Sequence, residues 1–159
     1  MSEFNTSLLI TIGEQIQRSN ETIATAESVT SGLLQFAFSN IPNASTFFHG
    51  GITAYNLPEK VKHLHVDRDH AQAVNCVSQQ VADEMALEVC KLFNTNWGIG
   101  ITGYASAVPE SDGKLFAYYS ICHDQVIRFT EKITPLETDP TLIQWFYVNT
   151  VIERLAKIF

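Results

Sequence analysis

The sequence predicts a three-layer α/β/α domain with a mixed, mainly parallel sheet and an antiparallel hairpin. Amphipathic helical segments alternate with short apolar strands over most of the chain, as the crossovers between parallel strands require. Two strand-like segments then flank His123-Asp124, which indicates a hairpin. The 159 residues contain no evident repeat or linker, so residues 1–159 are expected to form one domain.

The first part of the chain predicts two helices and two strands. Apolar residues at helical spacing, beginning with Leu8 and Ile12, indicate the first helix, and Pro42 ends the second. Gly50 and Gly51 mark a bulge or a close backbone approach in the second strand. The predicted elements are a helix over 5–19, a strand over 22–28, a helix over 33–41 and a strand over 47–57.

The remaining elements begin at recognisable caps. Pro58 suits the first turn of a helix that carries Lys60, and Ser78 is a suitable N-cap for a helix over 79–93. Asp139-Pro140 is typical of the start of a last helix. Between these helices the sequence predicts a buried strand over 97–103, a loop over 104–113 and the two strands of the hairpin.

The composition is that of a globular protein and excludes several classes of partner. Hydrophobic residues make up 45% and charged residues 17% of the chain, and the formal net charge is -7. This acidic balance argues against a nucleic-acid or anionic-membrane surface, and no apolar run approaches the roughly 20 residues of a membrane span. The three isolated cysteines predict reduced thiols. We therefore expect a cytoplasmic protein with a small-molecule substrate.

Ligands in α/β sheets bind beyond the carboxyl ends of the parallel strands. Three segments rich in small and hydroxylated residues follow the predicted strands: "ESVTSG", "NLPEK" and "TGYASA". Backbone N–H groups around Thr30, Ser31 and Gly32 could hold an anion or an oxyanion. Glu27 either orients a base or substrate, or caps the following helix with its charge.

Ser45 and Lys60 flank the second strand and could form a nucleophile and its base. A serine needs a base to take its proton, and a lysine can do so only when its pKa falls well below ~10.4. The hydroxyl of Tyr55 could relay that proton. The alternative is that Ser45 caps a turn and that Lys60 is a solvated helix residue.

Histidine chemistry is not favoured. His63, His65 and His70 form a cluster whose spacing is poor for one helix face and lacks an accompanying acidic ligand pattern. His49 lies four residues from Ser45, outside any recognisable triad context. We therefore expect no metal and no cofactor.

Four segments in order resemble the CinA C-terminal domain family: "TIATAESVTSGLL", "NASTFFHGGITAYNLPEKVKHLHV", "VSQQVADEMA" and "GIGITGYA". The resemblance implies an α/β/α serine amidohydrolase with a Ser–Lys arrangement, as in nicotinamide mononucleotide deamidases. Carried over by position, the catalytic residues are Ser45, Tyr55 and Lys60. The implied substrate cradle consists of Glu27, Ser28, Thr30, Ser31, Gly32, Thr102 and Gly103.

The chain departs from the family pattern where the resemblance implies phosphate binding. The pattern A-E-S-C-T-G-G is changed at Val29 and Ser31, the loop over 104–113 is shorter, and Gln144 stands where an arginine is expected. Loss of that arginine removes a bidentate phosphate partner. The catalytic residues are kept, whereas the features that the resemblance assigns to phosphate binding are altered. This combination predicts an amidohydrolase of altered specificity that acts on nicotinamide mononucleotide or a related amide. The alternative is a domain that binds a nucleotide or protein without turnover, and aromatics at 145–147 suggest a homodimer.

Overall fold

The computed structural model describes residues 3–159, which build a five-stranded sheet covered by helices on both faces. The helices and strands follow the order that the sequence predicts, with one additional short helix at Arg68–Ala73. They are α1 (Thr6–Arg18), β1 (Ile23–Glu27), α2 (Leu33–Ser39), β2 (Phe48–Thr53), α3 (Leu57–Leu64), α4 (Arg68–Ala73), α5 (Gln79–Phe93), β3 (Trp97–Gly103), β4 (Ala117–His123), β5 (Val126–Ile133) and α6 (Pro140–Ile158).

The sheet is mixed, with strand order β2-β1-β3-β4-β5. Strands β2, β1 and β3 run parallel, whereas β4 pairs antiparallel with β3 and β5 pairs antiparallel with β4. The predicted fold class is therefore confirmed. The hairpin turns at Asp124 and Gln125, both with positive φ, one residue later than the sequence suggests.

Two apolar layers hold the helices against the sheet. On one face, α1, α2 and α6 bury a large cluster that includes Ile12, Phe38 and Val151. On the other face, α5 covers β1 and β3 through residues such as Met85 and Val89. Because β1 and β3 lie between the two layers, their ends are held on both sides.

Strand β2 contains the predicted bulge. Its register with β1 shifts between the pairs Ile23–Phe48 and Ala24–Gly50, and Gly50 has φ +127°, which favours glycine. The strand is shorter than predicted because Asn56 already caps α3 by accepting a hydrogen bond from the Glu59 N–H at 3.0 Å.

Two local features differ from the sequence prediction. Helix α4 was not predicted; its six residues begin where the Asp67 side chain accepts the His70 N–H at 2.8 Å. The loop over 104–113 contains a short 3-10 turn at Pro109–Ser111. Among residues 3–159, no helix has the length and hydropathy that crossing a membrane demands.

Candidate active site

Lys60 is only 1% exposed, which is rare for a lysine. It lies in α3, whose start is fixed by the Asn56 cap and by Pro58 in the first turn. The Lys60 Nζ donates to the backbone oxygen of Ala54 at 2.8 Å and lies 2.7 Å from the Ser28 Oγ. Both partners are themselves buried.

Burial lowers the pKa of Lys60 from 10.5 to about 8. The cause is desolvation, which disfavours the charged ammonium in the interior. A thiolate at Cys76 would act in the opposite direction and raise the Lys60 pKa. The alternative of a solvated Lys60 is therefore wrong, and the neutral amine, about a tenth of the population at pH 7, becomes the main form above pH 8.

Ser28 is positioned by the sheet. It directly follows β1, and its N–H donates to the oxygen of Ile101 in β3 at 3.1 Å. Its carbonyl accepts the N–H of Ser31, which closes a tight turn before α2. Ser28 is 7% exposed and reaches a cleft through this small accessible area. The side chain is thus held between Lys60 and the cleft.

Glu27 stabilises the turn between Ser28 and Ser31. Its buried carboxylate accepts hydrogen bonds from the Thr30 hydroxyl at 2.6 Å, from the Leu34 N–H at 2.8 Å and from the Gln35 N–H at 2.9 Å. Of the two interpretations that the sequence left open, the structure shows the helix cap. The carboxylate fixes the start of α2 and, with it, the turn that carries Ser28.

The cleft has a volume of about 580 Å³ and lies at the carboxyl ends of β1, β2 and β3. Thr102 and Gly103 lie on its wall, and the Thr102 hydroxyl donates to the oxygen of Cys76 at 2.7 Å. The wall comprises Ser28, Val29, Tyr55, Asn56, Leu57, Lys60, Asn75, Cys76, Val77, Thr102, Gly103, Tyr104, Ala105, Ser106, Val108, Glu110, Pro140 and Gln144.

Four predicted cradle residues lie off this wall: Glu27, Thr30, Ser31 and Gly32. The Thr30 hydroxyl is bound to Glu27, and Ser31 and Gly32 adopt φ values of +49° and +95° in the turn. The left-handed conformation of Ser31 is one that L-residues other than asparagine and aspartate seldom adopt. These residues fix the conformation of the turn that carries Ser28, but they do not line the cleft.

Ser45 lies at the opposite end of β2 from Lys60, which corrects the predicted pairing. It is exposed in a 3-10 turn, Ala44–Thr46, that precedes β2, whereas Lys60 follows the strand. Six strand residues at ~3.3 Å each separate the two ends by roughly 20 Å. The serine in contact with Lys60 is Ser28, for which the family resemblance implies a place in the substrate cradle.

Tyr55 and Gln144 both reach the cleft. Tyr55 lies on the wall in the short connection between β2 and α3, and 70% of it is exposed, so it stands at the mouth. Gln144 comes from the second turn of α6, and its Nε2 donates to the oxygen of Val29 at 2.8 Å. This contact ties α6 to the residue next to Ser28.

The histidines of the predicted cluster have separate partners rather than a common one. His63 pairs with Glu59 at 2.9 Å, His65 with Glu88 at 2.9 Å and His70 with the Ser78 hydroxyl at 2.8 Å.

A different group, Glu21, His123 and Asp124, places its ligand-type atoms within 4.8 Å of one another. Glu21 there also accepts the indole N–H of Trp97 at 2.6 Å, and His123 stacks on the same indole ring. Hydrogen bonding and stacking account for this arrangement.

A buried strand-end serine beside a buried lysine, on a mixed α/β sheet, defines a Ser–Lys site at the position where such folds bind ligands. The sequence profile of the CinA C-terminal domain matches residues 5–158, and the chain belongs to this family. The expected resemblance is thereby confirmed.

Relatives and solved structures agree with this assignment. A CinA-like protein of Trichodesmium erythraeum is 41% identical over 154 residues, which cover 95% of this chain and 36% of that protein. A CinA-like protein of Prochlorococcus marinus is 47% identical over 57% of this chain and 21% of its own length. The chain thus spans about a third or less of these curated relatives.

The fold also recurs in experimental structures. The competence/damage-inducible protein CihA of Agrobacterium tumefaciens superposes with a TM-score of 0.89 at 22% identity, over 99% of this chain and 98% of that one. A competence or damage-inducible protein of Enterobacter asburiae gives a TM-score of 0.90 at 20% identity, over 98% of each chain. At this identity the likeness establishes the fold.

Proposed function

We propose that this protein is an amidohydrolase that removes ammonia from the carboxamide of nicotinamide mononucleotide or a related amide. The observation that carries the proposal is the contact of the Lys60 Nζ with the Ser28 Oγ at 2.7 Å, combined with a Lys60 pKa of about 8. A neutral amine beside a strand-end hydroxyl is what an activated serine nucleophile requires.

The first half of the reaction acylates Ser28. The neutral Lys60 Nζ keeps its hydrogen bond to the Ala54 oxygen and accepts the proton of the Ser28 hydroxyl through its lone pair. The Ser28 Oγ forms a bond to the carboxamide carbon, and the amide oxygen becomes an oxyanion. When this intermediate collapses, the C–N bond breaks, and Lys60 returns its proton to the leaving nitrogen, which departs as ammonia.

The second half regenerates the serine. Water attacks the ester of Ser28 and transfers a proton to Lys60. The ester bond then breaks, Lys60 returns this proton to the Ser28 Oγ, and the carboxylic acid, the free hydroxyl and the neutral amine result. We assign the oxyanion to the backbone N–H of Val29, because Val29 directly follows the nucleophile and lies on the cleft wall. We assign Tyr55, at the mouth of the cleft, to proton relay, since its hydroxyl both donates and accepts hydrogen bonds. We also assign its ring to contact with the ring of the substrate.

Ammonia release from a panel of amides that includes nicotinamide mononucleotide tests the proposal. Ser28→Ala and Lys60→Met are expected to lose at least ~10³-fold in kcat, because the nucleophile and its base act as a unit. Ser45→Ala is the matched control, a serine of the same chain that lies exposed before β2, and it should retain full activity.

Two results would overturn this assignment. Turnover that survives in Ser28→Ala would exclude Ser28 as the nucleophile. Turnover that vanishes in folded Ser45→Ala would return the role to Ser45. Far-ultraviolet circular dichroism of each variant verifies that the fold is retained.

A further inference from the structure

The charges on the cleft wall are few and unevenly disposed. Among the described residues that form the wall, the formally charged side chains are Lys60 and Glu110. Lys60 is already engaged with the Ala54 oxygen and the Ser28 hydroxyl, so its charge is not free for a ligand. The amide side chains on the wall, those of Asn56, Asn75 and Gln144, are uncharged.

The helices that begin around the cleft have their N-termini occupied by the protein itself. In α6 the Asp139 carboxylate accepts the N–H groups of Thr141 and Leu142 at 2.9 and 3.1 Å. In α2 the Glu27 carboxylate accepts two backbone N–H groups, and in α3 the Asn56 side chain accepts one. A helix N-terminus is the usual backbone site for a phosphate, and two of these three already hold an anion.

The wall instead offers features that suit a planar, neutral or positively charged ring. Tyr55 and Tyr104 lie on it with Glu110. Tyr104 is held in place, because its hydroxyl accepts the Asn75 Nδ2–H at 3.1 Å and its ring packs edge-on against Phe116 at 5.3 Å. Aromatic faces and a carboxylate attract a pyridinium cation and repel a phosphate dianion.

We infer that the site selects an amide without a phosphate group, carried on a neutral or cationic ring, in preference to a phosphorylated nucleotide. This inference rests on the proposed amide hydrolysis and specifies its substrate class. A phosphate entering the cleft would lose water and find amides and the Glu110 carboxylate in place of a free cation, whereas the same pyridinium amide without its phosphate avoids that cost.

The test compares nicotinamide riboside with nicotinamide mononucleotide, which share the amide and the cationic ring and differ by the phosphate. We expect kcat/KM for ammonia release to be at least ~10-fold higher for the riboside, because an unpaired charged group in a site is strongly rejected. Glu110→Gln should reduce this ratio several-fold. Asp112→Asn, which removes the same charge from an exposed position off the wall, should leave it unchanged.

A gain-of-charge variant tests the same idea from the opposite direction. Gln144→Arg introduces a guanidinium on the wall and should shift the ratio towards the mononucleotide. Gln144→Met serves as its neutral control, since it also removes the hydrogen bond to Val29 without adding charge. An equal shift in both variants would mean that the lost hydrogen bond, and not the charge, is responsible.

Binding to the inactive Ser28→Ala variant keeps the inference separate from the proposed chemistry. Calorimetric titration should give a dissociation constant about tenfold lower for the riboside than for the mononucleotide. Mononucleotide turnover that equals or exceeds riboside turnover and depends on Ser28 would overturn the inference while the amidohydrolase stands. Amide hydrolysis that is absent in wild type, with the riboside still bound more tightly, would overturn the chemistry and retain the selectivity. A failure of both ligands to bind would overturn the inference.

Discussion

Replacing Lys60 by methionine should stabilise the protein at pH 7 while it abolishes the proposed activity. Lowering the pKa of Lys60 from 10.5 to about 8 corresponds to about 3 kcal/mol, the free energy needed to hold a protonated lysine in the interior. Methionine has similar length and fills the site without charge. It also leaves the buried Ala54 oxygen without its partner, which costs ~1 kcal/mol. We therefore expect a net gain of roughly 2 kcal/mol.

The gain should depend on pH in a defined window. A lysine whose pKa is depressed in the folded state destabilises the protein fully below that pKa, and the penalty disappears as pH rises from about 8 to 10.5. Wild-type stability should thus rise across this window relative to Lys60→Met. The Cys76 thiol faces Lys60, and burial raises its pKa, so both proteins are best compared in a Cys76→Ser background.

Urea unfolding followed by circular dichroism at pH 7, 8, 9 and 10 provides the measurement. The matched control is Lys62→Met, which removes an exposed lysine of the same helix and should change the unfolding free energy by less than ~0.5 kcal/mol at every pH. A Lys60→Met variant that is less stable than wild type at pH 7, by an amount independent of pH, would refute the reasoning. It would show that Lys60 is a stabilising ion in the fold.

Three further predictions concern the same region. The kcat/KM of amide hydrolysis should rise with pH through an apparent pKa of about 8, because only neutral Lys60 accepts a proton; a rate that falls between pH 7 and 9 would contradict this. Glu27→Gln should lower the unfolding free energy by ~2 kcal/mol in urea titrations, since the cap loses its charge-assisted hydrogen bonds, whereas Glu153→Gln at an exposed position should stay near wild type. Gly100→Ala should cost ~1–3 kcal/mol in the same assay, because its Cβ would lie 2.5 Å from the Ala86 nitrogen in α5; an unchanged midpoint would show that α5 can move aside.

Most of the fold could be predicted because its elements carry local signals. Ser78 accepts the Val81 N–H at 3.2 Å and starts α5 at the predicted residue. Asp139 likewise starts α6 with Pro140 in the first turn. Such caps act within three or four residues, so they are visible in sequence. Helix α4 was missed because six residues with one buried side chain, Ala71, carry no clear apolar period.

The candidate site was predicted only in part. Ligands bind beyond the carboxyl ends of parallel strands, and this rule predicts the position of the cleft. Ser28, Lys60 and Thr102 follow or end such strands and lie on its wall. The same rule would have excluded Ser45, because Ser45 precedes its strand and so lies at the amino end. Ser45 is a serine close to Lys60 along the chain, and this favoured it as the nucleophile. The direction of β2, however, decides which residues lie at the same end of the sheet.

Apart from α4, the sequence by itself determined the order of the helices and strands and the mixed α/β architecture, because periodicity and capping depend on near neighbours along the chain. Only the tertiary structure decided which serine meets Lys60 and in which state that lysine exists. The contact joins residues 32 positions apart through the parallel pairing of β1 and β2. The pKa of Lys60 falls because surrounding helices and strands exclude water, and that exclusion is a property of the assembled fold.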